Sequence, residues 1–150
     1  DKVALIGFGA AASNIQHPGG NTLDLAGGPG EALNFAFTVP FKAKIRSLAF
    51  AFSLSDFTAS TSPTQLTAQI YKSQGKSSSI FEKINGVEAN VTVAPTFILG
   101  EIKYAVNSFA NPVTVEAGDR LLLVLAATNE FENVTLEGYV SAGVGLEYAP

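Results

Sequence analysis

The chain has 150 residues, a length that suits one domain, 1–150, able to bury most of its apolar surface. Apolar residues make up 47% and charged residues only 15%, against roughly 25% charged in an ordinary domain, so part of the surface is expected to be shared with a partner. A net charge of −4 excludes the basic footprint of a nucleic-acid binder, and the absence of cysteine excludes disulfides and thiolate metal sites.

Val3–Phe8 is continuously apolar and predicts a first strand buried on both faces. Residues 10–21 have loop composition, and Thr22–Leu25 reads as a short edge strand. Gly27-Gly28-Pro29-Gly30 reads as a turn; its glycines do not recur every third residue, as a collagen helix requires. Two strands follow at about 32–39 and 45–54. In the first, Leu33, Phe35, Phe37 and Val39 alternate with Asn34, Ala36 and Thr38. In the second, Leu48, Phe50, Phe52 and Leu54 alternate with Ala49, Ala51 and Ser53. A strand's side chains have a period of two, so each has a bulky face and a small one. The parity breaks near Arg46–Ser47, which predicts a bulge or a strand start there.

A Ser/Thr/Pro loop covers 56–64, and Gln65–Lys72 alternates again, with Leu66, Ala68 and Ile70 opposite Thr67, Gln69 and Tyr71. Ile80–Ile84 reads as a short strand ending in an Asn85-Gly86 turn. Residues 90–94 and 97–106 give one or two more strands around Pro95. Val113–Val115 leads through Glu116-Ala117-Gly118 into 119–128, where Leu121–Ala127 is apolar on both faces and so predicts a central strand covered on both sides. That run is also far short of the ~20 residues that span a bilayer, so no membrane segment is expected. Residues 134–146 close the chain. No stretch has helical periodicity, and the strand count predicts an all-β antiparallel sandwich, a jelly roll by preference.

A monomeric sandwich needs one apolar face per sheet, yet 36–38, 49–53, 121–127 and 140–145 offer a second one. The simplest account is a symmetric oligomer with small residues at the interface. The candidate interface residues are Ala49, Ala51, Leu122, Val124, Ala142 and Gly143; Phe35, Phe37, Phe50, Phe52 and Leu123 are candidate core. With the opposite parity for Leu122 and Leu123 the two sets exchange members. On the first assignment, Val124→Asp is expected to abolish assembly.

Chemistry finds little support. His17, the one histidine, sits in a Pro/Gly loop, and Ser13 nearby has no nucleophile-elbow motif around it. Glu130 and Glu132 flank Phe131, fewer carboxylates than calcium favours, and Asp119 reads as a turn residue opening a strand. Gly7-Phe8-Gly9 and Gly27–Gly30 precede no helix and so make poor phosphate cradles. Lys42, Lys44 and Arg46, the basic cluster, read as a solvated turn. Asn90-Val91-Thr92 and Asn133-Val134-Thr135 fit the N-glycosylation pattern, and Ser60-Thr61-Ser62 and Ser77-Ser78-Ser79 are possible O-glycan acceptors; strand edges and solvated loops are the plainer readings. Tyr71, Tyr104 and Tyr139 would form a sugar-binding platform if they face solvent. No catalytic residue, cofactor or metal is expected.

The run Gly19–Gly28, continuing into Leu33-Asn34-Phe35-Ala36-Phe37-Thr38-Val39-Pro40, resembles the C-terminal domain of BclB-type exosporium collagen-like glycoproteins of bacterial spores. Leu5–Gly9, Asp119–Val124 and Gly138–Val144 match in the same order, so the resemblance covers about 3–146. It implies a non-enzymatic, extracellular head at the end of a Gly-X-Y stalk, with a homotrimeric jelly roll like the heads of complement collagens and tumour necrosis factor. Such a head would hold three stalk ends in register. No Gly-X-Y repeat is present, and methionine is absent even at the first position, so the sequence is expected to be a piece of a longer chain. The alternative reading is a carbohydrate-binding or adhesive sandwich that works as a monomer or dimer.

Overall fold

The computed structural model describes residues 2–6, 11–16, 19–26, 35–57, 60–131 and 134–150. Ten strands carry them: β1 (Lys2–Ile6), β2 (Ala11–Gln16), β3 (Thr22–Asp24), β4 (Phe37–Thr38), β5 (Ala43–Phe57), β6 (Thr64–Ser73), β7 (Ile80–Val93), β8 (Ile102–Val115), β9 (Arg120–Thr128) and β10 (Leu136–Tyr148). Every pairing is antiparallel, and there is no α-helix among the described residues.

The protein is an all-β sandwich of two sheets. Sheet A runs β2-β1-β9-β6-β7-β3, with β4 also bonded to β9; sheet B runs β10-β5-β8. The pairs β6–β7, β5–β8 and β4–β9 are nested in the chain, as in one long folded-back hairpin. That hairpin is then rolled, so that β6 also meets β9 and β5 also meets β10.

The main core lies between the sheets. Ile45, Leu48, Phe50, Phe52 and Leu54 of β5 meet Leu66, Ala68 and Ile70 of β6, Val87 and Ala89 of β7, and Leu121, Leu123 and Leu125 of β9. The expected bulge is present: the register of β5 slips at Arg46 against both neighbours. It lets Ile45 and Leu48, three residues apart, enter the same core. Arg46 itself bonds Glu147 of β10.

Several expectations are corrected. Ala11–Gln16 is a strand rather than loop, because its backbone pairs with β1 whatever its composition. The strands are also longer than their punctuation implied. Asn85-Gly86 is not a hairpin turn but a bulge inside the single strand β7, whose pairing with β6 passes from Gln69↔Glu88 to Tyr71↔Lys83. Gly86 takes φ +79°, a value that suits glycine. The Gln69 side-chain amide donates to the carbonyls of Ile84 (2.8 Å) and Val87 (2.9 Å), replacing the lost ladder. The bulge flips the strand's parity. Phe81 therefore lies on the outer face of sheet A, while Val87 and Ala89 enter the main core.

Candidate assembly surface

β9 is central and covered on both faces. Leu121, Leu123 and Leu125 join the main core, whereas Leu122 and Val124 join a second cluster on the outer face of sheet A with Leu23, Leu25, Tyr71 and Phe81. Phe35, Ala36 and Ala126 pack against that cluster. Leu122 and Val124 are thus enclosed by their own chain, which removes them from the candidate interface. Phe35 covers the second cluster rather than filling the main core; Phe37 packs against the main core, and Phe50, Phe52 and Leu123 lie within it.

Sheet B is different. Paired residues of adjacent antiparallel strands share a face. On its outer side the rows are Ser47, Ala49, Ala51 and Ser53 on β5, Ser108, Val106, Tyr104 and Ile102 beside them on β8, and Gly145, Gly143, Ser141 and Tyr139 on β10. None of these carries a charge. Ile102 (62%), Val106 (68%), Tyr104 (70%) and Tyr139 (78%) are strongly exposed, and so are Ile98 and Leu99 in the turn just before β8. Glu101 and Gly100 bond the backbone of Leu54 and fix that turn against β5.

The relief of this face is uneven. On β8, Ile102, Tyr104 and Val106 make a ridge; Ala49, Ala51, Ser141 and Gly143 make a shelf beside it. A Cβ built on Gly143 would meet nothing within 4 Å, while one on Gly138 would strike the Ser53 carbonyl and the Phe52 ring, and one on Gly145 the Ser47 hydroxyl. Two of these glycines therefore serve the fold; the space over Gly143 serves the shelf.

Of the six candidate interface residues, Ala49, Ala51 and Gly143 stand together on this shelf. Ala142 pairs with Phe50 and so lies on the inner side of β10, near the sheet edge. The ridge was missed by the sequence reading. Its signal is a change of apolar parity along β8: Ile102, Tyr104 and Val106 are even, Phe109, Val113 and Val115 odd. Dividing this strand in two hides the change. The inner places opposite Phe50 and Phe52 go to Ala105 and Lys103, and the Lys103 ammonium lies 5.4 Å from the Phe97 ring centre and pairs with Glu101. Two large phenylalanines fill the core there, which leaves room for a small residue and a lysine stem.

Other candidates are placed as follows. His17, Glu132, Asn133, Gly7–Gly9 and Gly27–Gly30 lie outside the described residues, and of Ser13 only the backbone is described. Among the described residues no group of three His, Cys, Asp or Glu gathers where a metal could sit. Asp119 accepts the Glu116 N–H at 2.9 Å, closing the turn into β9, and lies 3.7 Å from Lys72. Lys42 is exposed, and its carbonyl accepts the Ala149 N–H. Ser60, Ser62 and Thr64 are tied to Asn129, whose amide donates to all three residues at 3.1–3.2 Å. A cleft beside them, lined by Val93, Pro95, Phe97 and Leu136, holds about 10 Å³, room for one water at most. Tyr71 is buried, and burial raises its phenol above the ordinary 10.0.

Comparison with family models, with curated proteins and with solved structures found no match.

Proposed function

We propose that this chain is the non-enzymatic trimerisation head of a collagen-like protein on the bacterial spore surface. One observation carries the assembly part: an uncharged sheet face with a bulky exposed ridge beside a small-residue shelf. Burying the ridge by a one-residue slip of β8 would expose Phe109, Val113 and Val115 instead. A neighbour's surface relieves this conflict, because it covers the ridge without moving the strand. The nested, rolled strand order supports the jelly-roll form, and the resemblance in 3–146 supports the spore-surface setting and the number three.

Size bears on the arrangement. With strands ~4.8 Å apart and ~3.4 Å of rise per residue, the face spans roughly 300 Å². A stable interface buries about 800 Å² per partner. A pair stacked on this face alone falls short. In a closed ring each subunit meets two neighbours, so the Ile98-Leu99 turn and the flanks of β8 and β10 add to the contact.

The deciding experiment is solution mass by light scattering across a dilution series. A species near 46.8 kDa, three times 15.6 kDa, supports the head. A stable monomer of 15.6 kDa overturns it.

A second reading draws on the exposure of Tyr104 and Tyr139 on one face: a carbohydrate-binding or adhesive module. Reproducible, competable hits on a glycan array, lost in Tyr104→Ala, would favour it over the trimer.

A further inference from the structure

We propose that Asn85-Gly86 is a self-modification site, at which the folded protein deamidates its own bulge. This inference is independent of the assembly reading. Asn85 and Gly86 are both exposed, and Gly86 has open space around it. Their segment, 84–87, lies between the paired positions Lys83 and Glu88, where the β6–β7 ladder is interrupted. The bulge is gripped from its sides: Gln69 holds the carbonyls of Ile84 and Val87, and the Lys83 ammonium lies 3.6 Å from the Glu88 carboxylate. Its apex is left to solvent.

The chemistry needs only water and base. Hydroxide removes the proton from the Gly86 backbone nitrogen, which attacks the Asn85 side-chain carbonyl carbon. A new C–N bond forms, the bond to the side-chain nitrogen breaks, and ammonia leaves with a proton from water. Water then opens the five-membered imide at either carbonyl. One opening leaves aspartate; the other leaves isoaspartate, with one extra carbon in the main chain. Glycine favours ring closure because no Cβ obstructs the attacking nitrogen.

Four of the other described asparagines are less well placed. Asn90 accepts a hydrogen bond from Thr67 at 2.6 Å, Asn107 donates to the Glu88 carbonyl at 2.8 Å, and Asn129 is held in the serine network. Asn111 precedes Pro112, which has no N–H to give up. The position also matters for the fold, since this bulge sends Phe81 to one cluster and Val87 to the other.

The test is to incubate the folded protein at mildly alkaline pH and map its peptides over time, marking isoaspartate with an isoaspartate methyltransferase. Conversion at Asn85 is expected to be at least about tenfold faster than at Asn107, as an unhindered glycine neighbour permits. The signal should vanish in Asn85→Gln, whose longer side chain disfavours the five-membered ring. Equal rates at Asn85 and Asn107, or conversion of Asn85 only in urea, would overturn the proposal.

Discussion

Sheet A and sheet B both have apolar residues on two faces, but they deal with the second face in opposite ways. Sheet A closes its own: the short edge strand β3, Leu25, Phe35 and Phe81 cover Leu122 and Val124. Sheet B leaves its outer face bare, with Tyr104, Val106 and Ile102 standing above Ala49 and Ala51. The difference teaches that two-sided apolarity in a strand is ambiguous. It marks a central strand in β9 and a bare outer face in sheet B. What separates the two cases is size on the partner strand, because bulky outer residues beside alanine and glycine leave a step that the chain itself does not fill.

Substitutions can break this contrast. The largest effect is expected for Val124→Asp. It places an unpaired charge in the second cluster and should unfold the chain, at a cost of about 4 kcal/mol or more. Loss of the circular-dichroism strand signal would bear this out; a folded variant that merely dissociates would return Val124 to the interface. Next comes Phe81→Ala, which should cost about 3–5 kcal/mol in urea unfolding. A loss below 1 kcal/mol, far under the usual range, would mean that the outer cluster of sheet A adds little.

On sheet B the fold should barely notice equal violence. Val106→Asp and Gly143→Arg touch exposed positions, so the folded subunit should change by less than about 0.5 kcal/mol. On the proposed trimer, each should nonetheless reduce the solution mass to that of one chain. A folded variant with the mass of three chains would remove this face from the assembly.

The smallest effects come from pH. Glu101, bonded by Lys103 and then by the Ile98 N–H, and Glu147, bonded by Arg46, lie below the free-glutamate value of 4.5. Both flank sheet B. Asp24, on β3 of sheet A, is lowered likewise by the Ala26 N–H and Ser79. The stability these groups add is complete above the ordinary carboxylate values and is lost as pH falls through their lower, folded values. Tyr71 has the reverse sign. The folded state keeps its proton longer than the unfolded chain does, so stability falls as pH rises past 10.0. Amide exchange should therefore quicken around Glu101, Glu147 and Asp24 in acid, and around Tyr71 in alkali.

Much of the fold was legible from alternation. The bulge at Arg46 and the inward Leu48, Phe50, Phe52 and Leu54 follow from period-two patterning, and the two-faced central β9 from its continuous apolar run; the edge strand read at 22–25 is present as Thr22–Asp24. Two kinds of feature were not. Merged strands were hidden because Asn85-Gly86 carries the chemistry of a turn while the ladder continues beyond it. The closure of sheet A was hidden because it depends on Leu23 and Phe81, some sixty positions apart, pairing as β3 and β7. Of the candidate site, the shelf at Ala49, Ala51 and Gly143 was found and the ridge was not, since a bulky alternating run is ordinarily read as facing inward.

The placement of β9 also governs when the molecule can come into being. This strand separates β1 from β6, with Ala4 paired to Leu125 across most of the chain. During synthesis the early strands wait until Arg120–Thr128 emerges, and contacts this distant in sequence make for folding in milliseconds to seconds rather than microseconds. β10, which supplies part of the bare face, emerges later still. A chain terminated before Arg120 cannot complete sheet A, and one terminated before Leu136 still lacks a strand of sheet B. Fold order thus works as a completeness check on the chain itself.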